Sequence, residues 1–138
     1  MLKNPYRLKI YDSGFKNMRK QNERMKLGIK DLSYSFSLEI IDFVNSLPQD
    51  RILLPVGEQI LRSSTSVGSN IVEAQASKSE KEFIKYTEIA VKSSHKSEYW
   101  LSLVSDTYKS LDKNASDLVK EVKDIRAMLE ASLMRARA

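Results

Sequence analysis

Apolar residues recur every three or four positions along four stretches of this chain, and this period restricts the fold more than any other feature. The first stretch consists of Ile29, Leu32, Phe36, Ile40, Phe43 and Leu47. Such spacing lines one face of an α-helix with apolar side chains. Only four glycines and three prolines interrupt the 138 residues, too few for the many tight turns of an all-β fold. The pattern predicts an all-α protein.

The first two helices are bounded by prolines. The first spans residues 29–47 and ends before Pro48, because proline disfavours a helical conformation in the residue before it. The second begins near Pro55, a residue favoured in a first helical turn, and ends near Ala76. Its apolar stripe consists of Ile60, Ser64, Val67, Ile71 and Ala74.

Capping signals mark the last two helices. Ser79 and Glu82 form a capping box at the start of the third, whose stripe comprises Phe83, Tyr86, Ala90, Ser93, Ser97, Trp100, Val104, Tyr108 and Leu111. This helix is expected to be the longest, and either to overhang the others or to bend near residues 93–95. Asn114 is the predicted cap of the fourth. Short connections predict an antiparallel up-down-up-down four-helix bundle over residues 28–138.

Residues 1–27 form a basic N-terminal extension without a sustained period. Over residues 1–30, nine basic residues oppose two acidic ones, which gives a net charge of +7. The basic residues are Lys3, Arg7, Lys9, Lys16, Arg19, Lys20, Arg24, Lys26 and Lys30. Such a charge run is either a solvated tail or a contact surface for RNA or another polyanion.

The second helix contains the unusual segment Ser63–Ser69. Its small residues are weak helix formers, but they allow another backbone to come close, so a tight helix crossing is predicted. The rival interpretation, a phosphate-binding loop, lacks the glycine spacing of known motifs. Arg62, Ser66, Asn70 and Glu73 share one face of this helix. They predict either a polar seam between helices or subunits, or a ligand-binding groove.

The residues provide little basis for catalysis. The chain has no cysteine and one histidine, His95, too few for a di-iron bundle site or a zinc site. Glu73 and Glu98 are the available carboxylate pair, and we expect them to act as hydrogen-bonding partners for Arg62, Asn70 or the backbone rather than as an acid and a base. We therefore predict no enzyme activity, no metal and no cofactor.

Tyr99, Trp100 and Leu101 are consecutive large residues. They span about 300° of a helix, so one bundle core cannot bury all three. Glu98, Tyr99 and Trp100 are therefore expected at an interface, and self-association is predicted. No apolar run reaches the ~18–20 residues that cross a bilayer, and we expect a cytoplasmic protein without a membrane contact.

Residues 60–76 read ILRSSTSVGSNIVEAQA, followed by Ser79, Phe83, Ile89-Ala90 and Glu98-Tyr99-Trp100-Leu101. This combination resembles a bacterial four-helix bundle family first noticed in intervening sequences of 23S ribosomal RNA genes, over about residues 29–131. The resemblance implies a homopentamer without known catalytic activity. It also implies a distant similarity to the accessory variability protein of diversity-generating retroelements, a basic pentamer that engages a reverse transcriptase and nucleic acid.

Three functional hypotheses follow. The first is an oligomeric scaffold or binding protein that contacts RNA or a ribonucleoprotein through a basic surface. The second is a protein-only interaction module or retroelement accessory factor that does not bind nucleic acid directly. The third, an enzyme that uses Glu73, Glu98 and His95, has the least support.

Overall fold

Four α-helices account for almost all of residues 28–138, the part of the chain that the computed structural model describes. They are α1 (Ile29–Asn45), α2 (Leu53–Ala76), α3 (Glu80–Thr107) and α4 (Asp112–Arg137), with a 3-10 turn at Lys109–Leu111 before α4. No strand occurs within these residues. The predicted all-α four-helix fold is confirmed.

Contacts between the helices show that consecutive helices are antiparallel. Near the middle of α2, Ser64 contacts Ser97 of α3, and two residues further along α2 Ser66 contacts Ser93, which lies earlier in α3. The contacts between α3 and α4 have the same antiparallel order, because Glu98 contacts Arg126 while the earlier Glu88 contacts the later Arg137. Contacts between α1 and α4 close the bundle.

The core is built from one apolar face of each helix. The α1 stripe predicted from the sequence is buried from Leu32 to Phe43, and all five predicted α2 positions are buried. The large side chains of the core that are at most 2% exposed are Phe36, Ile40, Leu53, Ile60, Val67, Ile71, Leu101, Val104, Val122 and Ile125. Each such side chain contributes roughly 1.5–3 kcal/mol through removal of its apolar surface from water.

The buried face of α3 agrees with the predicted stripe at Ala90, Ser93, Ser97 and Val104 but differs from it at the aromatic positions. Its centre consists of Thr87, Ala90, Ser94, Ser97, Leu101 and Val104. Phe83, Tyr86 and Trp100 are only half-buried, because they lie on the flank of this face. Aromatic side chains dominated the sequence pattern, whereas the helix in fact presents small residues to its neighbours. Small side chains let α3 pack closely, and its contact with α2 is the most extensive in the bundle.

The predicted helix ends are partly wrong. Asn114 is not a cap, because the 3-10 turn starts α4 at Asp112 and leaves Asn114 inside the helix. As predicted, α3 is the longest helix with 28 residues, but α4 is nearly as long with 26. The predicted cap at Ser79 is confirmed, since Ser79 Oγ accepts a hydrogen bond from Glu82 N at 3.1 Å.

Asp50 organises the turn between α1 and α2. Its carboxylate accepts hydrogen bonds from Ile52 N at 2.7 Å and Leu53 N at 3.3 Å, which satisfies free amides at the start of α2. The same oxygen lies 3.5 Å from the hydroxyl of Tyr108. Burial and the nearby Asp50 carboxylate raise the pKa of Tyr108, so this end of the bundle keeps a neutral phenol.

Gly68 lies where α2 packs against Ser33 and Ser37 of α1. A methyl group at this position would lie 3.4 Å from Ser37 Oγ and 3.5 Å from Ser33 O, which is ordinary contact. Because alanine favours a helix interior over glycine, Gly68→Ala should raise the free energy of unfolding by about 0.5–1 kcal/mol. Urea denaturation measures this change. Gly68→Leu is the control and should destabilise, whereas a destabilised alanine variant would contradict the packing described.

Candidate interaction surfaces

A polar seam runs between α2 and α3. Ser66 Oγ lies 2.9 Å from Ser93 Oγ, and Asn70 Nδ2 donates to the Ser66 carbonyl oxygen at 2.9 Å and to Ser66 Oγ at 3.0 Å. Of the predicted polar series, Ser66 therefore joins two helices of the same chain, and Asn70 bonds to Ser66 within α2. The other two, Arg62 and Glu73, are exposed at the outer edge of α2.

A buried pair of serines lies deeper in the same helix contact. Ser64 Oγ and Ser97 Oγ are 2.7 Å apart, and both residues are 0% exposed. One hydroxyl donates to the other, so both oxygens take part in a hydrogen bond in a place that water does not reach. The sequence placed both residues in apolar stripes, but it held no signal that they would meet.

Glu98 pairs with Arg126, which the sequence pattern did not indicate as its partner. Its Oε1 lies 2.5 Å from Arg126 Nη2 of α4, and the Arg126 side chain is only 12% exposed. Arg126 Nε is also 3.9 Å from Glu130. The expected partners Arg62 and Asn70 were wrong for Glu98, because its side chain lies on the α4 side of α3 while those residues lie on α2.

The cluster at residues 99–101 divides between core and surface. Leu101 is fully buried, Trp100 is half-buried, and Tyr99 is 59% exposed. The two aromatic rings meet edge to face, with centroids 5.2 Å apart and planes at 79°. Tyr99 is thus the member that the core leaves on the surface.

An apolar groove follows the outer side of the α1–α2 contact. Exposed aliphatic side chains of α2 line it, namely Leu54, Leu61 and Val72. Depressions of about 290 Å³ and 410 Å³ lie near its two ends. Exposed apolar surface of this extent on one side of a protein commonly marks an interaction site. We call this surface the α1–α2 groove.

Most of the predicted nucleic-acid residues lie outside the described residues. These are Lys3, Arg7, Lys9, Lys16, Arg19, Lys20, Arg24 and Lys26. Lys30 is described and lies exposed in the first turn of α1. A second basic feature, the row Lys81, Lys85, Lys92 and Lys96 along α3, was missed, although its spacings of four, seven and four residues in the sequence indicated one helix face.

Neither a metal-binding cluster nor a membrane-spanning helix is found among residues 28–138. No three His, Cys, Asp or Glu side chains in this range are grouped so that they could hold an ion. None of its helices combines the length and the apolar character needed to span a bilayer. His95 is exposed on α3.

The fold and these surfaces define the class of four-helix-bundle proteins. Within that class, the chain belongs to the family of 23S rRNA-intervening sequence proteins, whose profile matches residues 25–131. A solved structure from Bacteroides thetaiotaomicron, a protein of unknown function from the S23 ribosomal protein family, is similar at 30% identity and a TM-score of 0.72. The match covers 77% of this chain and 98% of that one. A comparison with curated proteins found no match.

The buried serine pair gives a direct test of the α2–α3 contact. Ser64→Ala and Ser97→Ala should each lower the free energy of unfolding by about 1–2 kcal/mol, because each leaves the partner hydroxyl without its hydrogen bond. The double variant should lose less than the sum of the two, since no unsatisfied hydroxyl then remains. Urea denaturation of all four proteins measures the coupling. Additive losses would show that the two hydroxyls do not interact.

Proposed function

We propose that the protein is a non-enzymatic homo-oligomeric scaffold that contacts RNA or a ribonucleoprotein through a basic surface. The α1–α2 groove is the observation that carries the proposal. It provides a surface for self-association that does not compete with the bundle core. The protein would act in the cytoplasm, and its partners would be further copies of itself and RNA.

The exposure of the aliphatic residues supports self-association through the α1–α2 groove. Leu54 is 63% exposed and Val72 is 47% exposed, although burial of such side chains against a partner would be favourable. Together with Leu61, they lie at helical spacing on the side of α2 that borders α1. A partner helix laid along the groove would cover all three. The pentameric state implied by the family resemblance is part of this proposal.

Charge distribution supports contact with RNA. The excess of +7 over residues 1–30 becomes concentrated when several copies assemble. Lysine and arginine side chains bind phosphates largely independently of base sequence, and displacement of counterions makes such binding sensitive to salt. A basic segment beside an oligomeric core therefore suits a scaffold that collects RNA or a ribonucleoprotein.

A protein-only interaction module is the alternative, and the exposed Tyr99 ring favours it. Aromatic residues are frequent anchors of protein interfaces. In this case the protein would be purified with a protein partner after nuclease treatment and would not bind RNA at low salt. Filter binding to RNA at two salt concentrations separates the alternatives, because phosphate contacts make the affinity fall steeply as salt rises.

Self-association is tested by the double variant Leu54→Glu and Leu61→Glu. Two carboxylates in the groove would have to lose water on assembly, so the variant should sediment as a smaller species than the wild type. Both positions are exposed, and helical circular dichroism should not change. Met134→Glu, at a 75% exposed position of α4, is the control. A monomeric wild type, or a double variant with unchanged mass, would contradict assembly through this groove.

A further inference from the structure

Four exposed lysines form a row on the outward face of α3, which we call the lysine row. They are Lys81, Lys85, Lys92 and Lys96. At 100° per residue they lie within an arc of about 60°. At a rise of 1.5 Å per residue the row is about 22 Å long. It is therefore a continuous basic track on one rigid helix.

Two acidic side chains near the lysine row are paired with α4, whereas the two carboxylates in the first turn of α3 are exposed. Glu88 lies between the two middle lysines, at spacings where ion pairs along a helix form. Its carboxylate instead accepts a hydrogen bond from Arg137. Glu98 follows the row and pairs with Arg126. None of the ion pairs found among the described residues involves a lysine of the row, so its ammonium groups are available to an anionic partner.

An exposed aromatic ring continues the track. Tyr99 follows Lys96 by three residues and lies on the same side of α3 by helical geometry. Its contact with Trp100, at a centroid distance of 5.2 Å, supports the ring, while 59% of the residue stays exposed. A basic track that ends in an exposed ring combines the two features by which proteins bind single-stranded nucleic acid.

We propose that the lysine row and Tyr99 bind single-stranded nucleic acid, with the lysines on phosphates and the ring stacked on a base. The assignment rests on the RNA contact proposed above, and it places a site on the bundle itself rather than in residues 1–27. Lysines act as point charges and do not read base edges in a fixed geometry. Unpaired bases are free to stack on an aromatic ring. Binding should therefore depend little on sequence.

The first test is the full chain with Lys81, Lys85, Lys92 and Lys96 all changed to Gln. The probe is a fluorescent oligouridine, titrated at several salt concentrations. If each lysine contacts one phosphate, the slope of log affinity against log salt should become shallower by about three. Affinity at low salt should fall by at least about tenfold.

A matched control removes the same charge elsewhere on the bundle. Lys109, Lys113, Lys120 and Lys123 are exposed and lie outside α3, and their change to Gln should leave the salt slope near that of the wild type. Equal losses in both quadruple variants would mean that only net charge matters, and would overturn the site. Circular dichroism verifies that each variant is folded.

A further variant separates this inference from the proposed function. In the full chain, every Lys and Arg of residues 1–27 is changed to Gln. If this variant loses all binding while the lysine-row variant binds like the wild type, the site is wrong but the RNA function stands. If the wild type itself does not bind oligouridine at low salt, both fail. Retained binding that depends on the lysine row supports the proposal.

Tyr99 provides a readout that net charge does not affect. Tyr99→Ala should weaken binding several-fold with an unchanged salt slope, because stacking releases no counterions. Tyr99→Phe retains the ring and should bind like the wild type. Polyglutamate should compete poorly with oligouridine at equal charge. If it competes equally well and Tyr99→Ala has no effect, the surface fits an acidic protein instead, and the proposal is overturned.

Discussion

The close contact between α2 and α3 is the constraint on which the rest of this bundle depends. Small residues on both helices, with the Ser64–Ser97 hydrogen bond fully buried between them, bring the two helices together. These residues contribute little hydrophobic energy, and several are poor helix formers. Their helices are stabilised instead by burial of large side chains on neighbouring turns, such as Ile60 and Leu101. The buried hydroxyl pair also favours this register, because a shift along the helix breaks the hydrogen bond between the two serines.

This contact determines where the surfaces of the molecule lie. Because one flank of α2 is occupied by the seam with α3, its aliphatic residues on the opposite flank form the α1–α2 groove. On α3, the flank towards α4 carries the carboxylates that two arginines of α4 neutralise. From Lys85 to Lys96, the outward face of α3 therefore keeps its lysines while the carboxylate between them pairs with α4. The lysine row is thus locally basic, even though residues 31–138 taken together carry more acidic than basic residues.

The sequence predicted the helices well and their contacts less well. The positions from Leu32 to Phe43 and from Ile60 to Ala74 were identified because large or regularly spaced apolar residues report directly on a buried face. In α3 the apolar pattern favoured the half-buried aromatic residues over the buried Thr87 and Ser94, because an aromatic ring has more apolar character than a small polar side chain. Partners such as Arg126 for Glu98 depend on which helices are neighbours and in what register. A pattern within one helix does not contain that information.

Assembly and nucleic-acid binding would reinforce each other in the proposed arrangement. The α1–α2 groove and the outward face of α3 lie on different sides of the bundle, so copies that associate through the first leave the second accessible. The four lysines of one row would contact about four phosphates, which by itself gives modest affinity. Several rows joined in one oligomer would bind one strand with a high effective concentration after the first contact. In the proposed arrangement a weak site on each copy would therefore be sufficient, and oligomerisation would determine whether the complex is stable.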